Sequence, residues 1–321
     1  MKSLKSQRKQ LYRRLKRPLK TKEQQLHNKL LTLRVVFSLA ALIIILFVTG
    51  FELKLLKTRL LIDTMVEEGI NYDAFREMKV NEAALKSAEK KISHLLEEKP
   101  EFKNYAFMDA IGYLTISMMA REYNLMDYGP VDTITFYRGI GRVASTSGYQ
   151  ELYGYYKAII RDLKYFPVPR VETADVTYSD TWYAERNYGG KRRHEGTDLM
   201  ASNNLRGFFP VISITDGTVE KMGWLEQGGY RIGIRSNSGG YFYYAHLYSY
   251  APELKEGDPV IAGQLLGFMG DSGYGIEGTI GQFDVHLHLG IYVNSSTGEI
   301  SVNPYHILIM LEKYRTNYKV Q

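Results

Sequence analysis

Val285-His286-Leu287-His288-Leu289-Gly290-Ile291-Tyr292-Val293 reads as a β-strand carrying two histidines one residue apart. Strand side chains alternate between faces, so the imidazoles of His286 and His288 point the same way, roughly 7 Å from each other. One of the two can bind a metal ion while the other addresses whatever that metal holds. The segments around this run have the same texture. Short β-type stretches at Gly207–Ile214, Thr218–Met222, Tyr230–Arg235, Tyr241–His246, Pro259–Ile261 and Leu265–Met269 are separated by glycine-bearing turns. Those turns are Asp216-Gly217, Gly228-Gly229, Gly239-Gly240, Glu256-Gly257-Asp258 and Asp271-Ser272-Gly273. Many short strands so spaced predict a mainly β C-terminal domain, an antiparallel sheet or sandwich with a groove.

Two further segments carry residues suited to the same metal: His194-Glu195-Gly196-Thr197-Asp198 and Tyr244-Ala245-His246-Leu247. His194 and Asp198 are four positions apart and share one side of the chain whether it is helical or extended, and Gly196 lets the backbone turn tightly between them. Four of the chain's seven histidines fall in these three segments. Two imidazoles and a carboxylate with one position left open match the donor set of a catalytic zinc ion, which acidifies water and polarises a carbonyl. No His-Glu-x-x-His run is present, which excludes a helical zincin site. His94 and His306 lie outside these segments and read as structural. With no cysteine, disulfides, thiolate ligands and a thiol nucleophile are all excluded.

Upstream the chain changes character. Val35 to Phe51 holds no charged residue, and Leu31 and Leu33 lengthen it to the span of a transmembrane helix if Arg34 snorkels. Twelve Lys and Arg precede it against Glu23 alone, so residues 1–34 form a basic cytoplasmic tail and everything after Glu52 is expected outside. A cleaved signal peptide is the rival reading, but no small-x-small site follows the run. The overall charge of +6 therefore hides a net acidic remainder, and no nucleic-acid partner is expected. Residues 52–165 read as helix, a spacer or accessory region. Asn81–Lys99 places Leu85, Ala88, Ile92, Leu95 and Leu96 on one face, Tyr105–Ala120 reads as a core helix, and Gln150–Leu163 follows. Phe166-Pro167-Val168-Pro169 marks the boundary to a catalytic domain over 166–310, with a tail at 311–321.

In combination these motifs resemble the lysostaphin/LytM-type zinc endopeptidases, which cut the peptide part of bacterial peptidoglycan. The resemblance covers roughly Asp180 to Pro304 and includes Thr215-Asp216-Gly217-Thr218-Val219, Gly223-Trp224, Glu256–Gln264 and Gly270-Asp271-Ser272-Gly273. It implies that His194, Asp198 and His288 hold Zn2+. It also implies that His246 and His286 flank the attacking water, orienting or deprotonating it and stabilising the oxyanion. Tyr188 matches a tyrosine that lies near the reaction centre in some members. One departure is the longer connection Tyr274–Val285 before the histidine pair, which is expected to reshape that groove wall. Lys191, Arg192 and Arg193 can meet stem-peptide carboxylates or form a solvated basic loop. The expected protein is a membrane-anchored, single-pass extracytoplasmic peptidase. The alternatives are a catalytically silent scaffold and a module that activates another hydrolase of the cell envelope.

Overall fold

The computed structural model describes residues 7–8, 22–187 and 191–318. The chain divides into two compact units, Met1–Lys57 and Thr58–Gln321. Helix α1 (Lys22–Glu68) supplies most of the described part of the first unit and begins the second. Its apolar window has a mean hydropathy of 2.7 and no buried residue; Phe37 and Phe47 are 70% and 76% exposed. Among the described residues it is the one helix long and apolar enough to cross a membrane. The helix does not stop at Phe51, because Glu52, Leu53 and Lys54 continue it without a breaker.

In the second unit, α2 (Tyr72–Arg76), α3 (Glu82–Glu98), α4 (Ala110–Ala120), α5 (Thr133–Val143) and α6 (Ser147–Ile160) each start at a polar cap. Asn71, Asn81, Asp109, Asp132 and Thr146 each accept the amide N–H three residues on, worth about 1 kcal/mol per helix. Helix α3 buries Ala84, Ala88, Ile92 and Leu95, while α4 is buried from Ile111 to Ala120, as expected of a core helix.

Twelve strands follow, with α7 (Tyr305–Leu311) after the last: β1 (Val176–Thr177), β2 (Glu185–Arg186), β3 (Arg192–Arg193), β4 (Thr197–Ala201), β5 (Pro210–Ile212), β6 (Gly217–Leu225), β7 (Gly229–Ser236), β8 (Tyr241–Tyr250), β9 (Pro259–Val260), β10 (Leu265–Met269), β11 (His286–Ser295) and β12 (Gly298–Val302). Ten of them form one antiparallel sheet in the order β1-β4-β11-β8-β7-β6-β9, with β12 on β11 and β10 joined to both β8 and β5. Strands β2 and β3 form a separate hairpin.

The antiparallel β domain read from the sequence is present, although β1, β2, β3, β4 and β12 were not anticipated and Gly207–Ile214 contracts to β5. Strand β11 explains the two-faced design. Leu287, Leu289, Ile291 and Val293 are buried and share one core with the helices, with α6 packed against the strand. His286, His288 and Tyr292, on the opposite face, line a groove of about 770 Å³.

Candidate metal centre

Strand pairing brings the first two site residues together. Asp198 on β4 lies directly opposite His288 on β11, and both side chains face the groove while Thr197, Leu199, Leu287 and Leu289 face the core. His194, just before β4, completes a triangle. Its Nε2 is 3.0 Å from Asp198 Oδ1 and 3.1 Å from His288 Nδ1, and His288 Nδ1 is 2.9 Å from the same Oδ1. Gly196 makes this closure possible, though not by a left-handed turn. A Cβ there would lie 2.4 Å from His288 Cε1 and 2.6 Å from the Leu289 carbonyl oxygen. What the glycine supplies is room for the ring.

His246 reaches the groove by an irregularity. Tyr230 of β7 pairs with Leu247 and Ile232 with Tyr244, so Arg231 alone faces both Ala245 and His246. Strict alternation would send His246 into the core beside the buried Tyr244. The bulge, with His246 at φ +63°, turns it to the groove side with Ala245. Such a backbone costs about 1–3 kcal/mol and must be held by its surroundings. Here the His246 amide donates to the Gly228 carbonyl at 2.8 Å, and the ring Nδ1 lies 2.8 Å from the Ser272 carbonyl. Ser272 is fixed in turn, its hydroxyl donating to the Leu247 carbonyl at 2.7 Å.

A carbonyl cannot donate, so Nδ1 of His246 carries the proton and a neutral ring keeps a bare Nε2. The same logic applies to His286, whose Nδ1 is 2.7 Å from the Asp284 carbonyl. Their ring centroids are 4.7 Å apart. Burial, reinforced by His286 and His288, pushes His246 well below the ordinary imidazole range, which keeps it neutral. Burial also lowers His288 against the opposing pull of Asp198. At Asp198, burial works to raise the carboxyl, but hydrogen bonds with His194 and His288 prevail and hold it far below the usual range.

Several surrounding groups orient this set. Arg186 donates to Asp198 Oδ2 at 2.7 Å, leaving Oδ1 for the centre, and the Thr181 carbonyl lies 3.1 Å from His194 Nδ1, leaving Nε2. Neither Arg186 nor Thr181 was singled out from the sequence; only their closeness to His194 pointed at them. Tyr188 lies outside the described residues. Phe283 and Tyr274, from the long connection before β11, pack on His246 with ring centroids at 4.7 and 6.1 Å. On the other side Arg76 of α2 bonds Glu195 at 3.0 Å and stacks over Trp182 and Tyr183, tying the helical part to the loop beside His194.

Residues 192–304 match peptidase family M23. A solved chain from Ruminococcus gnavus ATCC 29149, provisionally described as a glycyl-glycine endopeptidase LytM, is 41% identical. The similarity covers 80% of this chain and 98% of that one, with a TM-score of 0.63. The chain belongs to peptidase family M23.

Among curated M23 relatives, the L-Ala--D-Glu endopeptidase of Bacillus subtilis (strain 168) is 41% identical over 184 residues, 57% of this chain and 55% of that protein. Lysostaphin of Staphylococcus simulans is 35% identical over 113 residues, 35% of this chain and 20% of its own length. The chain thus spans about half the length of the first of these relatives. M23 peptidases are zinc metallopeptidases, and the side chains here suit that ion. If both imidazoles simply donated to Asp198 Oδ1, two N–H groups would face each other at 3.1 Å. A shared cation removes that conflict, and two imidazoles with a carboxylate are donors zinc accepts.

The crowding at Gly196 gives a testable consequence for this M23 centre. Gly196→Ala is expected to weaken zinc binding at least about tenfold by displacing His288, on the scale of losing a ligand-orienting contact. Competition against a chromophoric chelator measures it, and an unchanged affinity would show that the close approach does not matter.

Proposed function

We propose that the chain is a membrane-anchored zinc endopeptidase, with its groove outside the membrane, that hydrolyses peptide bonds in peptidoglycan. The observation that carries this reading is the convergence of His194 Nε2, Asp198 Oδ1 and His288 Nδ1 within 3.1 Å beside two imidazoles with bare Nε2 atoms. The relatives' names supply the substrate class, and helix α1 supports the anchor. The domain division read from the sequence is part of the same proposal: tail, membrane segment, helical region and peptidase.

His194, Asp198 and His288 would hold the zinc, which when bound supplies Lewis acidity to polarise the scissile carbonyl and acidify water. Nε2 of His246 or His286 then takes the proton of the attacking water and delivers it to the departing amine nitrogen. The Ser272 and Asp284 carbonyls hold the two rings in the tautomer this needs. Until it passes that proton on, the same imidazolium donates to the developing oxyanion, while the other imidazole, its Nε2 bare, accepts a hydrogen bond from the attacking water and orients it. By the chain's resemblance to the lysostaphin/LytM-type enzymes, Tyr188 is assigned near the reaction centre.

Carbonate-washed membranes incubated with purified sacculi test the whole reading. We expect the intact chain in the pellet and release of stem-peptide fragments that a chelator abolishes and added zinc restores. A shortened chain in the wash would overturn the anchor, and chelator-insensitive or absent release would overturn the enzyme.

A further inference from the structure

The groove contains a positive group that the centre does not use. Arg231 is the single β7 residue opposite the Ala245–His246 bulge, and its Nη1 is shielded from solvent without a hydrogen-bond partner among the described residues. Most other charges lining the groove are neutralised. Arg186 pairs with Asp198 at 2.7 Å, Arg193 with Glu185 at 3.2 Å, and Glu195 with Arg76 at 3.0 Å. Glu299 lies 3.8 Å from Arg235. Arg192 donates to the Tyr274 hydroxyl but, like Arg231, has no carboxylate partner among the described residues, and its Nε is also shielded without a hydrogen bond. No carboxylate partner of Arg231 is present among the described residues, although the chain beyond the apolar run is net acidic.

Its surroundings are rigid and phenolic. Tyr241 and Tyr243 flank it on β8, their hydroxyls abutting Gly233 and Gly228, where a Cβ would collide at 1.9 and 2.1 Å. Both rings pack on Tyr292, with centroids 6.1 and 6.3 Å away. Burial raises both phenols, and the Arg231 guanidinium opposes that rise. These hydroxyls therefore stay protonated near neutral pH and do not neutralise the guanidinium.

We propose that Arg231 is a specificity-determining residue that receives a free carboxylate of the bound peptide. The assignment rests on the peptidase reading for what enters the groove, and it adds the chemistry that selects it. A guanidinium offers a carboxylate two parallel N–H donors, and a shielded, unpaired one gains most from the contact. Position limits which carboxylate it is. Strands β7 and β11 flank β8, so Arg231 and His288 are on strands about 10 Å apart. An extended peptide advances roughly 3.3–3.6 Å per residue, so the acidic residue lies within about three positions of the bond cut.

The test uses the zinc-loaded full chain in detergent and two synthetic stem tetrapeptides. One carries the free α-carboxylate of its acidic residue, and its twin carries a carboxamide there. Wild type is expected to favour the carboxylate peptide roughly 10- to 100-fold in kcat/KM and in affinity by fluorescence polarisation, the weight of one charge-assisted contact. In Arg231→Gln that preference should fall toward one with zinc content and melting temperature unchanged, and Arg231→Lys should retain part of it. A wild type indifferent to the carboxylate, or an Arg231→Gln that keeps the preference, overturns the assignment. The binding arm separates it from the peptidase reading. Selective binding without cleavage sinks the enzyme and leaves Arg231 in its role, whereas cleavage without selectivity does the reverse.

Discussion

Zinc content is expected to fall to background in His288→Ala, and activity on sacculi with it. Two features make this the largest effect. His288 Nδ1 is one of three atoms that converge within 3.1 Å, and its partner Asp198 sits directly across the strand pair. Loss of a group that merely orients a ligand weakens metal binding about 10–100-fold, and loss of the ligand itself should exceed that. Removing the imidazole also leaves Asp198 buried with one counter-group fewer, so the remaining pair is a poorer site as well as a smaller one. Zinc per chain by atomic absorption after gel filtration decides the matter. Equal contents in wild type and variant would refute the ligand assignment.

His246→Ala should behave oppositely, keeping its zinc and losing about 10²- to 10⁴-fold in kcat, the usual weight of a positioned general acid–base group. The contrast follows from where each ring is held. His288 belongs to the converging triangle, whereas His246 is anchored by the Ser272 carbonyl and aims a bare Nε2 into the groove. A His246→Ala protein that lost zinc would make His246 a ligand. One that kept full activity would leave His286 as the sole base.

How much of this was legible beforehand depended on periodicity. Strand β11 declares itself because its histidines recur every second residue over a buried face, and α3 because its apolar positions recur at helical spacing. Asp109 and Gly112 look like interruptions of an apolar run, yet Asp109 is the cap of α4 and accepts the Gly112 amide at 2.8 Å. The placement of His246 was not legible, because a bulge breaks the very alternation used to read a strand. Gly196 was legible as important but for the wrong reason, since its role is space for a ring 92 residues later rather than an unusual turn. Arg186 and Arg231 escaped notice because an arginine in a β-type run resembles any solvated charge until the neighbouring strands are known. Arg76, in a short helix far upstream, gave no sign that it bonds Glu195 and Ser301.

Anomalous diffraction at the zinc edge, on crystals of the zinc-loaded full chain, tests the central claim most directly. One strong peak is expected at roughly 2.0–2.2 Å from His194 Nε2, Asp198 Oδ1 and His288 Nδ1 together. A fully occupied peak elsewhere, or none among these three atoms in protein that binds zinc stoichiometrically, would contradict it.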